Sequence, residues 1–221
     1  MRIATWNVER LKHIKDLDQI RVVCEQQQAD ILVLTETDAR LHLDYKHCFS
    51  SKPLKGITDP AIYADTENRV SIFTNYECVQ QCPTCDDYTA VCVEIQTERG
   101  KLLVYGTIIG TSGNRNTSYL PDLKKQLHDI KQLTEAGYHL CLIGDYNCSF
   151  NDSYYFTAEG REQMLRCFRD NHISLLTGEV PECVDHIAIS TGFLKGSRAI
   201  SIKEWNTDKR LSDHKGILVN I

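Results

Sequence analysis

Several apolar runs in this chain stop at residues able to do chemistry. Asn7 stands in "TWNVE", Glu36 in "LTETD", and Asp145 and Asn147 in "IGDYNCS". Asp185 opens "DHIAIS", and Asp213 and His214 precede the last run, "GILVNI". Each has an ordinary explanation. Asn7 can cap a following helix. Glu36 can be a solvated loop charge, Asp145 and Asn147 can shape a turn, and Asp185 can sit on the surface where a strand begins. Asp213 and His214 lie in "LSDHKG", which is rich in turn formers. Neighbours in a strand point to opposite faces, so both can serve one site only from the loop ahead of the strand. Taken together, the positions carry a stronger implication. If these ends share one side of a layered fold, the carboxylates converge. Converging like charge is costly, so a cation or a positively charged partner is implied.

The elements that must position these residues read as follows. "RIATW" is a strand, and Leu11, Ile14, Leu17 and Cys24 fall near helical spacing between Leu11 and Gln28. "DILVLTE" is a buried strand. "RVSIFTN", "YTAVCVEIQ" and "KLLVYGTIIG" are strand-like and predict an antiparallel meander. "PDLKKQLHDIKQLTEAG" predicts a helix with Pro121 at its start, a stripe of Leu123, Leu127, Ile130 and Leu133, and Gly137 at its end. "YHLCLIGDYN" is a buried strand and "GREQMLRCFRDN" a helix. "VDHIAIS", "RAISIKEWN" and "GILVNI" close the chain as strands. Among the few layered solutions, two packed sheets with helices on their outer faces fit best, as one domain over residues 1–221.

Composition narrows the function. The 221 residues are 42% hydrophobic and 25% charged, with a net charge of −5. No long basic groove for duplex nucleic acid is indicated. No run reaches the roughly 18 apolar residues of a membrane span, and "MRIATWNVER" lacks the apolar core of a signal peptide. A cytoplasmic location is expected, with the ten cysteines as reduced thiols. "CVQQCPTC" offers Cys78, Cys82 and Cys85, but a structural zinc site takes four ligands and no second such pair supplies the rest. A thiol-bearing loop is the expectation there. No GxGxxG follows the first strand, which argues against a dinucleotide-binding protein.

The ordered set "TWNVE", "LTET", "GDYN", "VDH" and "SDH" resembles the endonuclease/exonuclease/phosphatase superfamily. Its members include abasic-site endonucleases, pancreatic-type deoxyribonucleases, sphingomyelinases and inositol-polyphosphate phosphatases. The resemblance runs from Asn7 to His214, and "GDYN" and "SDH" are its most specific parts. It implies an α/β fold, a four-layer α/β/β/α sandwich of two mixed, mainly antiparallel sheets. It also implies a divalent-metal-dependent phosphodiester hydrolase. By position, Glu36 would be the principal metal ligand with Asn7 beside it, and Asp213 would complete the metal site. Such oxygen donors suit Mg²⁺ or Mn²⁺. Asp145 would orient or deprotonate the attacking water, and Asn147 would place that water or a phosphate oxygen. His214 would stabilise the scissile phosphate, its ring held by Asp185. His186 reads as a packing residue.

The chain departs from the superfamily pattern in places. Thr107 aligns where relatives carry a Tyr or His that assists at the phosphate, so leaving-group protonation has no assigned donor. Arg69 replaces a common Gly and is expected to be solvated. Asn114 and Arg115 in "GTSGNRNTSY" are candidate phosphate binders. The short chain implies reduced loops for gripping duplex DNA. A nuclease is favoured over a phosphatase for inositol phosphates, which needs a dense cationic pocket, and over a lipid-acting enzyme, which needs an exposed apolar wedge. "SYYF" at Ser153 to Phe156 is either base-stacking or core. A catalytically silent binding module would show damage at the motif residues, and all are intact.

Overall fold

A computed structural model describes residues 1–55, 57, 62–111, 118–196 and 199–221. Asn114 and Arg115 lie outside the described residues. Twelve strands form two sheets of six. The first sheet contains β1 (Arg2–Asn7), β2 (Ile31–Asp38), β3 (His47–Ser50), β4 (Glu67–Thr74), β11 (Ser201–Trp205) and β12 (Gly216–Asn220), in the order β11-β12-β1-β2-β4-β3. The second contains β5 (Glu77–Cys82), β6 (Ala90–Thr97), β7 (Gly100–Ile108), β8 (Leu140–Asp145), β9 (Ile173–Leu175) and β10 (Asp185–Ser190), in the order β5-β6-β7-β8-β10-β9. Only β1–β2 and β7–β8 pair in parallel. Each parallel pair is bridged by a helix, α1 (Leu17–Gln26) or α2 (Tyr119–Glu135). Parallel neighbours require such a crossover. A third helix, α3 (Ala158–Asp170), follows β8, capped by Thr157 Oγ1 accepting from the Gly160 N–H at 3.1 Å.

Strand alternation sorts the side chains into three apolar layers. Ile3, Val33, Val70, Val104, Ile143, Ile187 and Ile217 meet between the sheets. Ala4, Trp6, Leu32, Leu34 and Leu218 face the other way, onto Ile20 and Cys24 of α1. Tyr105, Leu140, Leu142 and Ala188 face outward under Leu123 and Ile130 of α2 and Met164 and Phe168 of α3. Helix, sheet, sheet and helix are thus four layers, as the motif resemblance implies.

The structure corrects several expectations. The stretch from Leu11 to Gln28 is not one helix: short 3₁₀ turns at Glu9–Leu11 and Ile14–Asp16 precede α1. Arg10 at φ 56° breaks helical geometry there. The predicted meander is divided, because β4 joins the first sheet whereas β6 and β7 join the second. Cys78 and Cys82 belong to strand β5 rather than a loop. A register shift between Cys78 and Gln80 turns Cys78 toward the inter-sheet core and Cys82 toward the outer layer. Arg69 is buried, not solvated, and donates to the Tyr63 hydroxyl at 3.1 Å. Thr107 faces α2, its hydroxyl on the Gln126 side chain, for a reason of parity: Thr107 shares the outward face of β7 with Tyr105.

Candidate active site

The same alternation places the chemistry. Ile3 faces inward on β1, so Asn7, an even number of residues on, ends that strand facing the second sheet. Asp145 continues the inward face of Cys141 and Ile143 on β8, and Asp185 that of Ile187 and Ile189 on β10. Asp145 and Asp185 are direct cross-strand partners. The close β7–β8 contact requires glycine beside Asp145: a Cβ on Gly144 would lie 2.0 Å from the Thr107 carbonyl oxygen.

Hydrogen bonds then fix the group. Asp145 accepts from Asn7 Nδ2 at 3.1 Å across the inter-sheet gap, and from the Asn147 N–H at 2.8 Å. Asn147, at φ 48°, donates its amide to the Ile109 carbonyl at 2.9 Å. His214 Nδ1 is 2.6 Å from Asp185 Oδ2. The loop carrying His214 is tied down by residues that sequence reasoning passed over. Ser212 donates to the Asn7 carbonyl at 2.6 Å, Trp6 Nε1 donates to the His214 carbonyl at 3.0 Å, and Asn206 donates to that carbonyl at 2.8 Å. Ser212, as part of the "SDH" triplet, and Trp6, as part of "TWNVE", carried a signal; Asn206 carried none. Asp213 stands at the rim, its carboxylate 3.7 Å from His214 Nε2. The two neighbours in "SDH" therefore differ in setting: Asp213 is exposed at the rim beside Nε2, while Nδ1 of His214 is held by Asp185. His186 points the other way, between Tyr146 and Phe150, and bonds the Cys148 and Cys183 carbonyls and Thr177.

Electrostatics follow from burial and charge. Burial alone would push His214 down, but the charge and hydrogen bond of Asp185, with Asp145 and Asp213, raise it to about 10. Burial, then the Asp185 charge, raises Asp145 to about 7, against the pull of His214, the Asn147 N–H and Asn7. Burial lowers His186 to about 4, so it stays neutral. Burial also raises Glu36, opposed first by His214 and then by Lys12, Arg69 and Arg10. Glu36 therefore lies within electrostatic reach of His214. It has φ 47° and stands unpaired in the ladder, between Thr35 and Thr37, which pair Val70 and Asn68.

The site fits a divalent cation. Among the described residues the Glu36 carboxylate has no hydrogen-bond or ion-pair partner, and Asp185 Oδ1 is buried without one. The charges of His214, Lys12, Arg69 and Arg10 together do not offset the burial of Glu36, and the open donors are hard oxygens. Asp145, Asp185 and His214 also place donor atoms within 4.8 Å of one another. There His214 Nδ1 is already committed to Asp185, so the imidazolium is the cation of that group. Next to His214 opens a cavity of about 420 Å³ lined by Asn147, Tyr154, Lys209, Asp213 and Lys215 among others.

A two-sheet sandwich with an inter-sheet carboxylate–imidazole group is the architecture of phosphoesterases that work on a divalent ion. The chain matches the Endonuclease/Exonuclease/phosphatase family over residues 4–214 and belongs to it. Its members are metal-dependent hydrolases of phosphate esters. No curated protein matches by sequence. Among solved structures, the endonuclease domain of TRAS1, a telomere-specific non-LTR retrotransposon, is similar at 18% identity and TM-score 0.71, covering 100% of this chain and 97% of that one. The 3' phosphatase NExo from Neisseria, bound to product DNA hairpin, is similar at 15% identity and TM-score 0.71, over 100% and 99%. An AP endonuclease from Archaeoglobus fulgidus is similar at 12% identity and TM-score 0.67, again over 100% and 99%. At these identities the likeness shows the shared fold.

Proposed function

We propose that the chain is a nuclease that hydrolyses phosphodiesters with Mg²⁺ or Mn²⁺. The observation that carries this reading is the bridge between sheets: Asn7 to Asp145 on one side, and Asp185 to His214 on the other. Asp145 takes a proton from the attacking water, and Asn147 holds its carboxylate in place. A base near neutrality is well matched to that task. The His214 imidazolium offers Nε2–H to a phosphoryl oxygen as negative charge gathers there. Asp185 keeps the ring oriented and charged. Glu36, the remaining lone pair of Asn7 Oδ1 and the rim carboxylate of Asp213 are the residues that would hold the ion. A bound divalent ion supplies positive charge beside the phosphoryl and leaving oxygens. Among the described residues no β7 side chain offers the leaving oxygen a proton, so solvent water supplies it.

Two features favour a nuclease over a phosphatase for multiply phosphorylated small molecules. The cavity mixes Lys209 and Lys215 with Glu182 and Asp213 instead of presenting a dense cationic pocket. Of the proteins similar in fold, one is bound to a product DNA hairpin and others are endonucleases. Ten free thiols fit a reducing, cytoplasmic compartment. The test is hydrolysis of bis-p-nitrophenyl phosphate and of DNA and RNA oligonucleotides. Turnover should require Mg²⁺ or Mn²⁺, stop with EDTA, and fall about 10²- to 10⁴-fold in Asp145→Asn. EDTA-resistant turnover, or a fully active Asp145→Asn protein, would overturn the reading.

A further inference from the structure

We infer that Tyr154 and Lys209 form a built platform for an unpaired nucleotide next to the reacting phosphate, which makes single-stranded nucleic acid the preferred substrate. This deepens the hydrolase reading and rests on it.

Tyr154 is a large ring left 48% exposed, yet the backbone beneath it is held firmly. Asp152 is the hub. Its carboxylate accepts from the Tyr154 N–H at 3.0 Å and from the Glu182 N–H at 2.6 Å, which ties the loop after β8 to the loop before β10. Asn151 donates to the Glu179 carbonyl at 2.8 Å, adding a second tie between the same loops, and the Ser149 N–H donates to the Tyr155 carbonyl at 2.6 Å. Both loops line the cavity that contains His214. An apolar ring exposed on a mobile tail loses entropy when it binds, whereas one on a braced loop is pre-organised.

Lys209 comes from the opposite wall, in the loop that ends at His214. It sits at φ 53°, with its N–H on the Asn206 carbonyl at 2.9 Å. Its ammonium is 2.9 Å from the Tyr154 hydroxyl and 4.8 Å from the ring centroid. A cation so much nearer the oxygen than the centroid sits beyond the hydroxyl end, off the centre of a ring that is 48% exposed. Among the described residues Lys209 makes no ion pair, so its charge is offset only by a neutral hydroxyl.

The two groups ask for a π-face and an anion a few ångströms apart, within a cavity shared with the catalytic imidazole. A nucleotide has both. The base must be unstacked to present its face, and the faces of a paired, stacked base are covered. Nonspecific grip on single strands comes from aromatic stacking together with backbone cations. The chain's net charge of −5 argues against the broad basic surface that holds a duplex.

The test uses the full chain carrying Asp145→Asn in EDTA, so that binding is read without turnover. A single-stranded oligonucleotide containing 2-aminopurine should be quenched on binding. Adding Tyr154→Ala should weaken affinity roughly tenfold and abolish the quench, since each stacked base contributes on the order of tenfold or more. Tyr154→Phe, which keeps the ring, should retain both within about twofold. Lys209→Gln should reduce the salt slope of log K by about 0.7, the value for one phosphate contact on a single strand. Unchanged affinity in Tyr154→Ala, equal loss in Tyr154→Phe, an unchanged salt slope, or duplex bound as tightly as single strand would overturn the platform. So would no measurable binding of single strands. Failure of metal-dependent turnover with this binding pattern intact would sink the hydrolase reading and leave the platform standing.

Discussion

The two sheets bring carboxylates to the site on very different terms. The second sheet contributes Asp145 and Asp185, side by side across the β8–β10 ladder. Both are almost fully buried, and both are engaged: Asp145 by Asn7 and Asn147, Asp185 by His214. The first sheet contributes Glu36 at a point where β2 leaves the pleat, with a left-handed φ and no partner among the described residues. One half of the site is engaged by polypeptide partners, save for the buried Asp185 Oδ1. The other is left open to a ligand, and a non-glycine residue held at positive φ is strain of the kind that persists where function requires it.

The largest effect should come from breaking the engaged half. His214→Ala removes the only imidazolium of the group and leaves Asp145 and Asp185 facing each other uncompensated. Turnover on bis-p-nitrophenyl phosphate should fall about 10²- to 10⁴-fold. The pH profile sharpens the comparison. His214, raised to about 10 from 6.5, contributes stability that is complete below pH 6.5 and lost as pH climbs to about 10. Asp145, raised from 3.8 to about 7, works in the same sense at lower pH: its cost to the fold is absent below pH 3.8 and complete above about 7. The metal-free protein should therefore lose thermal stability steadily between those limits, and His214→Gln should flatten the upper part of the curve. Activity should rise as Asp145 deprotonates, at a pH that falls as Mg²⁺ is added, and decline toward pH 10. An acidic limb insensitive to metal concentration would show that the two halves do not communicate.

How much of this was legible in the sequence depends on which physical rule placed each residue. Asp145 and Asp185 continue inward-facing rows of Cys141, Ile143, Ile187 and Ile189, so burial on both faces gave long apolar runs with a polar end that could be read directly. The same rule exposes His186 as an outward packing residue. Thr107 stands where relatives carry a Tyr or His, and strand parity, shared with Tyr105, turns it outward to Gln126 of α2. The strands β3, β5 and β9 are short or half-exposed edge elements whose polar residues give no clear alternation. Glu36 was recognisable as a motif residue, but its left-handed backbone is imposed by tertiary contacts that no local pattern announces. Tyr154 and Lys209 lie 55 residues apart and meet only through the closure of two loops.

An intermediate effect should come from the open half. Glu36→Gln keeps the shape and removes the charge that burial disfavours. Without metal, the variant should melt higher by a few degrees, since about 1 kcal/mol shifts a protein of this size by roughly 2–4 °C. The Mg²⁺ concentration for half-maximal activity should rise about 10- to 100-fold, on the scale of disrupting a metal centre's supporting contacts. Calorimetry with and without Mg²⁺ separates the two: metal should raise the melting temperature of the parent protein and scarcely move that of Glu36→Gln. If the variant melts lower without metal, the Glu36 carboxylate is satisfied by the protein and the contrast between the halves is wrong.

The smallest effect should come from Thr107→Val, and it bears on the leaving group. Thr107 is buried, with its hydroxyl on Gln126, on the far face of β7 from the inter-sheet site. Valine keeps the volume and removes the hydroxyl, so Gln126 loses one partner while its amide still reaches the Ile108 carbonyl at 3.3 Å. The expected cost is about 1–3 kcal/mol of stability, read by urea denaturation, with turnover within about twofold of the parent at a temperature where both are folded. Substrates with a p-nitrophenolate leaving group need little protonation, whereas an alkoxide leaving from a nucleic-acid strand needs a proton. If Thr107→Val slowed cleavage of an oligonucleotide while sparing bis-p-nitrophenyl phosphate, a proton would be reaching the leaving oxygen through β7. The second sheet would then supply the acid as well as the base, and the assignment of that proton to solvent would fall.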